Sequence, residues 1–296
     1  MKLSTIFSCL LAGLLFFPCI TVGQQKEKKE ISVQLYSVRD EIGRDNAGFA
    51  KAIKALGEAG YTGIEAANYN NGKFYGLTPA EFKAAIEGAG MKVLSSHTGR
   101  DLGRDPKNPN WTEIWAWWDQ CIAAHKAAGM KYIVTASMPT PATKEDLQLY
   151  CDYYNKIGEK CNAAGIKFGY HNHAVEFEKR YEDRTVFYDY MVENTDPGKV
   201  FFELDVYWAI MGKRSPVDLF KKYPNRFELL HIKDAKEIGE SGMVGFDAIF
   251  KNAEISGVKH LVVEVERYDY PIQESMKRSI DYLLAAPYVK KSYSGQ

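Results

Sequence analysis

Five times the chain closes a helix-like stretch with a small residue and a glycine, then enters a short apolar run. The copies are Ala59-Gly60-Tyr61, Ala89-Gly90-Met91, Ala128-Gly129-Met130, Ala164-Gly165-Ile166 and Ser256-Gly257-Val258. A glycine there takes the left-handed position that ends a helix, and the residues after it turn into a strand. Repeated helix–Gly–strand phrases predict parallel strands, because parallel neighbours need a crossover between them. The apolar runs finish in polar residues, at Glu65, His97, His171-Asn172-His173 and Glu264, and two further strands finish at Asp205 and His231. Carboxylates and imidazoles at the carboxyl ends of parallel strands are the pattern of the active face of a βα barrel.

Eight strand–helix units can be read. The strands are expected at 31–36, 63–66, 92–96, 132–136, 167–170, 200–204, 227–232 and 260–265. Helices are expected over about 47–59, 112–128, 144–164, 186–193 and 273–285, and a further one begins at Thr78-Pro79-Ala80-Glu81. There Thr78 caps, Pro79 occupies the first helical position and Glu81 completes a capping box; Thr143 and Asp146 repeat the device. The excursion 99–109 is rich in Asp, Asn, Gly and Pro, and Asp196-Pro197-Gly198 marks a turn. Eight units in one repeating pattern predict an α/β fold, a closed (β/α)8 TIM barrel over 31–290, without a dividing linker.

With 296 residues, 46% of them hydrophobic, the chain is long enough for one large barrel and need not be split. Its first 23 residues read differently. Met1-Lys2, an apolar run from Leu10 to Ile20 and the small exit Thr21-Val22-Gly23 have the form of a secretory signal peptide, followed by a polar segment, 24–30. The run is too short for a comfortable membrane span. The expectation is a mature protein that is periplasmic or secreted, with no stable membrane association. Without Lys2, 37 basic residues face 38 acidic ones, a net charge of −1. A near-neutral chain without a basic run lacks the footprint of a nucleic-acid binder. Cys121, Cys151 and Cys161 remain after the leader, an odd number at helical positions, which reads as buried free thiols.

The strand ends offer a ligand set: Glu176 or one of the nearby histidines, then Asp205, His231 and Glu264. Carboxylates with an imidazole suit one divalent ion, Mn, Co, Mg or Zn, and no thiolate lies among them. Lys233 follows His231 by two residues and shares its side of the strand, so it can reach a hydroxyl or an enolate oxygen, or else form a rim salt bridge. Glu65 and His97 end their strands where they can bond sugar hydroxyls or one another. Trp111, Trp115, Trp117 and Trp118 can present an aromatic face or pack into the core. His125 and His260 fall away from the mouth.

Tyr170-His171-Asn172-His173-Ala174-Val175-Glu176-Phe177, Glu203-Leu204-Asp205-Val206-Tyr207-Trp208, Leu230-His231-Ile232-Lys233-Asp234 and Val262-Val263-Glu264, with the opening Gln34-Leu35-Tyr36-Ser37, resemble the sugar phosphate isomerase/epimerase family. The resemblance implies a xylose-isomerase-like TIM barrel and a divalent metal held by a Glu, Asp, His, Glu set. Asp205, His231 and Glu264 match three of those positions. The remaining position falls to Glu176, with His171 or His173 as the alternative, because His171 stands where the resembling epimerases place a glutamate. The segment 241–247 lacks the family's closely spaced pair of glycines.

The chemistry expected is proton abstraction next to a carbonyl on a neutral sugar or keto-sugar, with elimination from a 3-keto-glycoside as a variant. Glu176, Glu264, His171, His173 and Lys233 are the catalytic candidates, and Glu65, His97 and Trp208 the substrate contacts. The partner is then a small carbohydrate, with a homodimer as the expected assembly. Two other readings are a metal nuclease resembling abasic-site enzymes of the same barrel and a sugar-binding barrel without catalysis. Net charge and leader weigh against the first, and the Asp205/His231/Glu264 set against the second.

Overall fold

The computed structural model describes residues 29–294. Its strands are β1 (Ser32–Gln34), β2 (Gly63–Ala66), β3 (Tyr69–Asn70), β4 (Lys73–Phe74), β5 (Lys92–Ser96), β6 (Tyr132–Thr135), β7 (Lys167–His171), β8 (Val200–Asp205), β9 (Leu229–Lys233) and β10 (His260–Glu264). Eight of them form one sheet in the order β5-β2-β1-β10-β9-β8-β7-β6, with parallel neighbours throughout. The two ends of that sheet meet. His97 bridges Val134, the Thr98 N–H donates to the Val134 carbonyl at 2.9 Å, and the Lys131 N–H donates to the Leu94 carbonyl at 2.9 Å. The sheet is thereby a barrel with helices outside it.

The repeated glycines do what their positions require. Gly60, Gly90, Gly129, Gly165 and Gly257 have φ of 123°, 78°, 80°, 79° and 82°, and each precedes a barrel strand by a few residues. Thr78 and Glu81 form the reciprocal cap, and the Thr143 hydroxyl accepts from the Asp146 N–H. The leader expected at the N-terminus lies outside the described residues. Among the described residues no helix is long and apolar enough to cross a membrane. Cys121, Cys151 and Cys161 are buried and free.

Some elements differ from expectation. The first strand is shorter, because the Gln34 side chain accepts from the Tyr36 N–H at 3.1 Å and turns the chain into a 3-10 helix, Leu35–Val38. An antiparallel hairpin, β3–β4, follows β2. Short helices at Val175–Glu178, Val206–Met211 and Pro216–Lys222 occupy loops, too brief for a periodic signal.

Strand alternation builds the interior in layers. Leu94, Tyr132, Val134, Phe201, Leu229 and Val262 form a small apolar cluster of their own, separate from the large core between strands and helices. Two residues further along the same strands stand Glu203, His231 and Glu264, and two further again Asp205 and Lys233. An apolar plug therefore supports a polar floor. Gly169 on β7 makes room for that plug, since a Cβ there would lie 2.5 Å from the Phe201 ring. Tyr132 packs edge-on against the same ring at 5.2 Å, so the ring has no free direction. Gly169→Ala is expected to cost about 1–3 kcal/mol by overpacking, read as a lowered thermal midpoint.

Candidate active site

Five strands converge on a cluster of imidazoles and carboxylates. β2 supplies Glu65, β7 His171, β8 Glu203 and Asp205, β9 His231 and Lys233, and β10 Glu264, while His97 follows β5. Glu65, Glu203, Asp205 and His231 are fully buried, and His171, Lys233 and Glu264 nearly so. Burial of so many ionisable groups is costly unless they pair with one another.

The pairing has two parts, a lower network and an upper set of open atoms. In the lower network Glu65 is saturated. Its Oε1 accepts from Gln34 Nε2 at 2.9 Å and lies 2.9 Å from His97 Nε2 and 3.1 Å from His231 Nε2, while its Oε2 accepts from the Ser95 hydroxyl at 2.6 Å. Glu203 Oε2 lies 2.7 Å from His97 Nε2 and 3.2 Å from His171 Nδ1. His97 thus sits between two carboxylates. Burial opposes its charge, but Glu65 and Glu203 outweigh that and push its pKa up to about 10. Burial would raise Glu65, yet His97 and His231 hold it well below the usual carboxylate range. Glu203 is raised by burial and by the charge of Glu65. His171 is pushed down by burial and by the cationic groups around it, which keeps it a neutral imidazole.

Above this network, polar atoms are left over. His231 Nδ1 is 3.7 Å from Asp205 Oδ2 and 3.6 Å from Glu264 Oε2, and His171 Nε2 is 4.0 Å from Asp205 Oδ2. Asp205 Oδ2 and His231 Nδ1 are buried and have no hydrogen-bond partner among the described residues. Asp205, His231 and Glu264 stand close enough to share one ion. A buried imidazole nitrogen converging with two carboxylate oxygens, one of them without any donor, suits a divalent cation, so the residues present fit such a group. The lower contacts serve it: Glu65 and Glu203 hold the far nitrogens of His231 and His171, so the near nitrogens point toward Asp205. Against the opposing effect of burial, the surrounding carboxylates raise the His231 pKa well above its ordinary value, so an ion there would displace the ring proton.

The other expected residues take varied places. Lys233 Nζ donates to Glu264 Oε2 at 2.7 Å, lies 2.9 Å from Glu266 Oε2 and stands over the Trp208 ring at 5.1 Å. The Trp208 N–H donates to Asp205 Oδ1 at 2.8 Å, and its buried indole Nε1 is unpartnered. His173 is half-buried, its ring 5.1 Å from that of His171 and 5.7 Å from that of Trp208. Glu176 does not join the group. Its oxygens accept from the Tyr170 hydroxyl at 2.7 Å and the His173 N–H at 2.8 Å, fastening the loop after β7. His171, with its Nε2 4.0 Å from Asp205 Oδ2, stands beside the group instead. Glu65, expected to contact sugar, has no exposed atom and orients His231 instead. Glu203 was not among the expected residues, although strand alternation from Asp205 would have placed it on the same inward side. Trp118 is core, donating to the Tyr153 hydroxyl at 2.6 Å.

Residues 53–286 match the family described as "Xylose isomerase-like TIM barrel". The chain belongs to this family. A sugar phosphate isomerase/epimerase from Parabacteroides distasonis is 36% identical in sequence and superposes with a TM-score of 0.83, covering 93% of this chain and all of that one. Inosose dehydratase from Clostridium botulinum is 25% identical over 211 residues, which span 66% of this chain and 66% of that protein. D-allulose 3-epimerase from Methylomonas, 16% identical with a TM-score of 0.64 over 87% of this chain and 97% of that one, shares the fold. The family thus places this chain among sugar isomerase, epimerase and dehydratase-like barrels.

Proposed function

We propose that this protein is a divalent-metal-dependent isomerase, epimerase or lyase that moves a proton next to the carbonyl of a neutral sugar or keto-sugar. The observation that carries the reading is the convergence of Asp205 Oδ2, His231 Nδ1 and Glu264 Oε2, two of them buried without a partner. Asp205, His231 and Glu264, with His171 at the fourth corner, would hold the ion. When bound, it polarises the substrate carbonyl and offsets the charge that develops on its oxygen.

The protein's own groups do the rest. Glu264 takes the proton from the carbon beside the carbonyl, and the C–H electron pair becomes the double bond of an enolate. Lys233, fixed by Glu264 and Glu266, donates a hydrogen bond to the enolate oxygen or a neighbouring hydroxyl. His173 faces the mouth from the β7 side and can return a proton from the other face, which inverts the centre. Where the next carbon carries a leaving group, the same enolate expels it with its electron pair, and the product is an unsaturated keto-sugar. The indole N–H of Trp208 offers a hydrogen bond to a hydroxyl. The dehydratase relatives support elimination, and the leader expected at the N-terminus favours an unphosphorylated substrate outside the cytoplasm.

The test is metal content before and after chelation, with thermal stability in parallel, followed by keto-sugars in deuterated water. About one divalent ion per chain and deuterium appearing next to the carbonyl are expected. A protein neither binding nor stabilised by any divalent ion would sink the proposal. Glu203→Gln, which weakens the hold on His171, is expected to lower ion affinity about 10–100-fold in a competition titration, and to lower the thermal midpoint of the ion-free protein as well, because His97 keeps only Glu65 as a charged partner.

A further inference from the structure

A polar cleft opens beside the site, between the loop after β5 and the loop after β6. Its walls include His97, Arg100, Asp101, Thr135 and Ser137. His97 is common to both places: the imidazole that bridges Glu65 and Glu203 also lines the cleft, with its side chain 13% exposed. A substituent on a sugar held over Asp205 and His231 would therefore run into this cleft.

The cleft is charge-balanced. The Arg100 guanidinium is ion-paired with Glu113, and Asp101 adds a carboxylate, so a phosphate would meet no uncommitted cation there. Hydroxyls and backbone groups suit a neutral polyhydroxylated ligand instead. An aromatic face adjoins the Arg100 wall of the cleft. Trp111 is 42% exposed and stacks on Trp115, with ring centroids 5.5 Å apart and planes 9° from parallel. Tyr153 packs against both rings, and its hydroxyl donates to the Arg100 carbonyl at 3.0 Å, which ties this face to the wall of the cleft. An exposed indole backed by a second one offers a flat apolar surface for the C–H face of a sugar ring.

We infer that the cleft between the β5 and β6 loops is a subsite for the second unit of a neutral glycoside, with Trp111 as its outer stacking surface. The inference rests on the proposed sugar chemistry and narrows its substrate from a free monosaccharide to a disaccharide-sized glycoside. In an elimination, this unit would leave as the alcohol, taking the electron pair of the broken C–O bond and, in the overall balance, the proton that Glu264 removed from the carbon beside the carbonyl.

Equilibrium binding of methyl glucoside, glucose 6-phosphate, trehalose, maltose, cellobiose and sucrose to the full chain tests it. At least one disaccharide is expected to bind about tenfold tighter than methyl glucoside, and the advantage is expected to disappear in Ser137→Trp, which fills the cleft from an exposed loop position, and to shrink in Trp111→Ala. Thermal melting of both variants checks that they are folded. No disaccharide preference, a preference that survives Ser137→Trp in a folded protein, or tighter binding of glucose 6-phosphate than of every disaccharide would each overturn the subsite. Failure of the underlying chemistry shows elsewhere, as wild-type protein that exchanges no deuterium into free keto-sugars or keto-glycosides.

Discussion

Asp205→Asn is expected to lower turnover by about a thousandfold or more while leaving the barrel folded, with a thermal midpoint near that of the wild type. The two oxygens of Asp205 have different duties. Oδ1 accepts from the Trp208 N–H and caps the helix Val206–Met211, and an asparagine oxygen can keep that bond. Oδ2 is buried without a partner, facing His231 and His171. Replacing it relieves an unpartnered buried carboxylate oxygen but also removes its attraction for His231 and Lys233, so the two effects offset and the stability of the ion-free protein should change by no more than about 1–2 kcal/mol. The site loses one anionic corner, and added Mn, Co, Mg or Zn should no longer raise the thermal midpoint. The checks are melting curves with and without each ion, and single-turnover kinetics. A variant that still turns over at the wild-type rate would remove Asp205 from the site.

Glu65→Leu is expected to have the opposite signature, a large loss of stability. Four donors lie on this carboxylate, from Gln34, Ser95, His97 and His231, all at 2.6–3.1 Å and all in the barrel interior. Leucine matches the volume and accepts nothing, leaving His97 with Glu203 alone and three other polar groups stranded. Breaking one buried pair of this kind costs about 3–5 kcal/mol, on the order of 10 °C in thermal midpoint for a domain of this size. Denaturant melts of the ion-free protein measure it. Had Glu65 been a sugar contact, the same change would raise KM and leave the midpoint near that of the wild type.

The contrast between Asp205 and Glu65 shows where the sequence stops being informative. Both are carboxylates at the end of an apolar run, and no local feature separates them. Glu65 finds its four donors on β1, β5, β9 and the loop after β5, whereas Asp205 Oδ2 finds none. Glu176 is the converse case. Spacing puts it near the ligand position, but the short helix Val175–Glu178 turns its carboxylate to Tyr170 and the His173 N–H, while His171 stands 4.0 Å from Asp205. Glu203 was within reach of a strand-period argument, since it stands two residues before Asp205 on the same inward side of β8.

The amino-acid sequence alone determined the order of strands and helices, and with it the barrel. Its signals are local: a glycine at positive φ after each of five helices, a capping box at Thr78 and a threonine cap at Thr143 that lacks the box's reciprocal bond, and apolar runs of strand length. Because parallel strands put their carboxyl ends on one face, the sequence also determined which polar residues share the mouth. Only the tertiary structure decided what each of them does there. A carboxylate or imidazole is ligand, base or strut according to how many donors neighbouring strands bring within hydrogen-bond distance, and that count is set by sheet register and barrel closure, across as many as 166 residues of chain between Glu65 and His231.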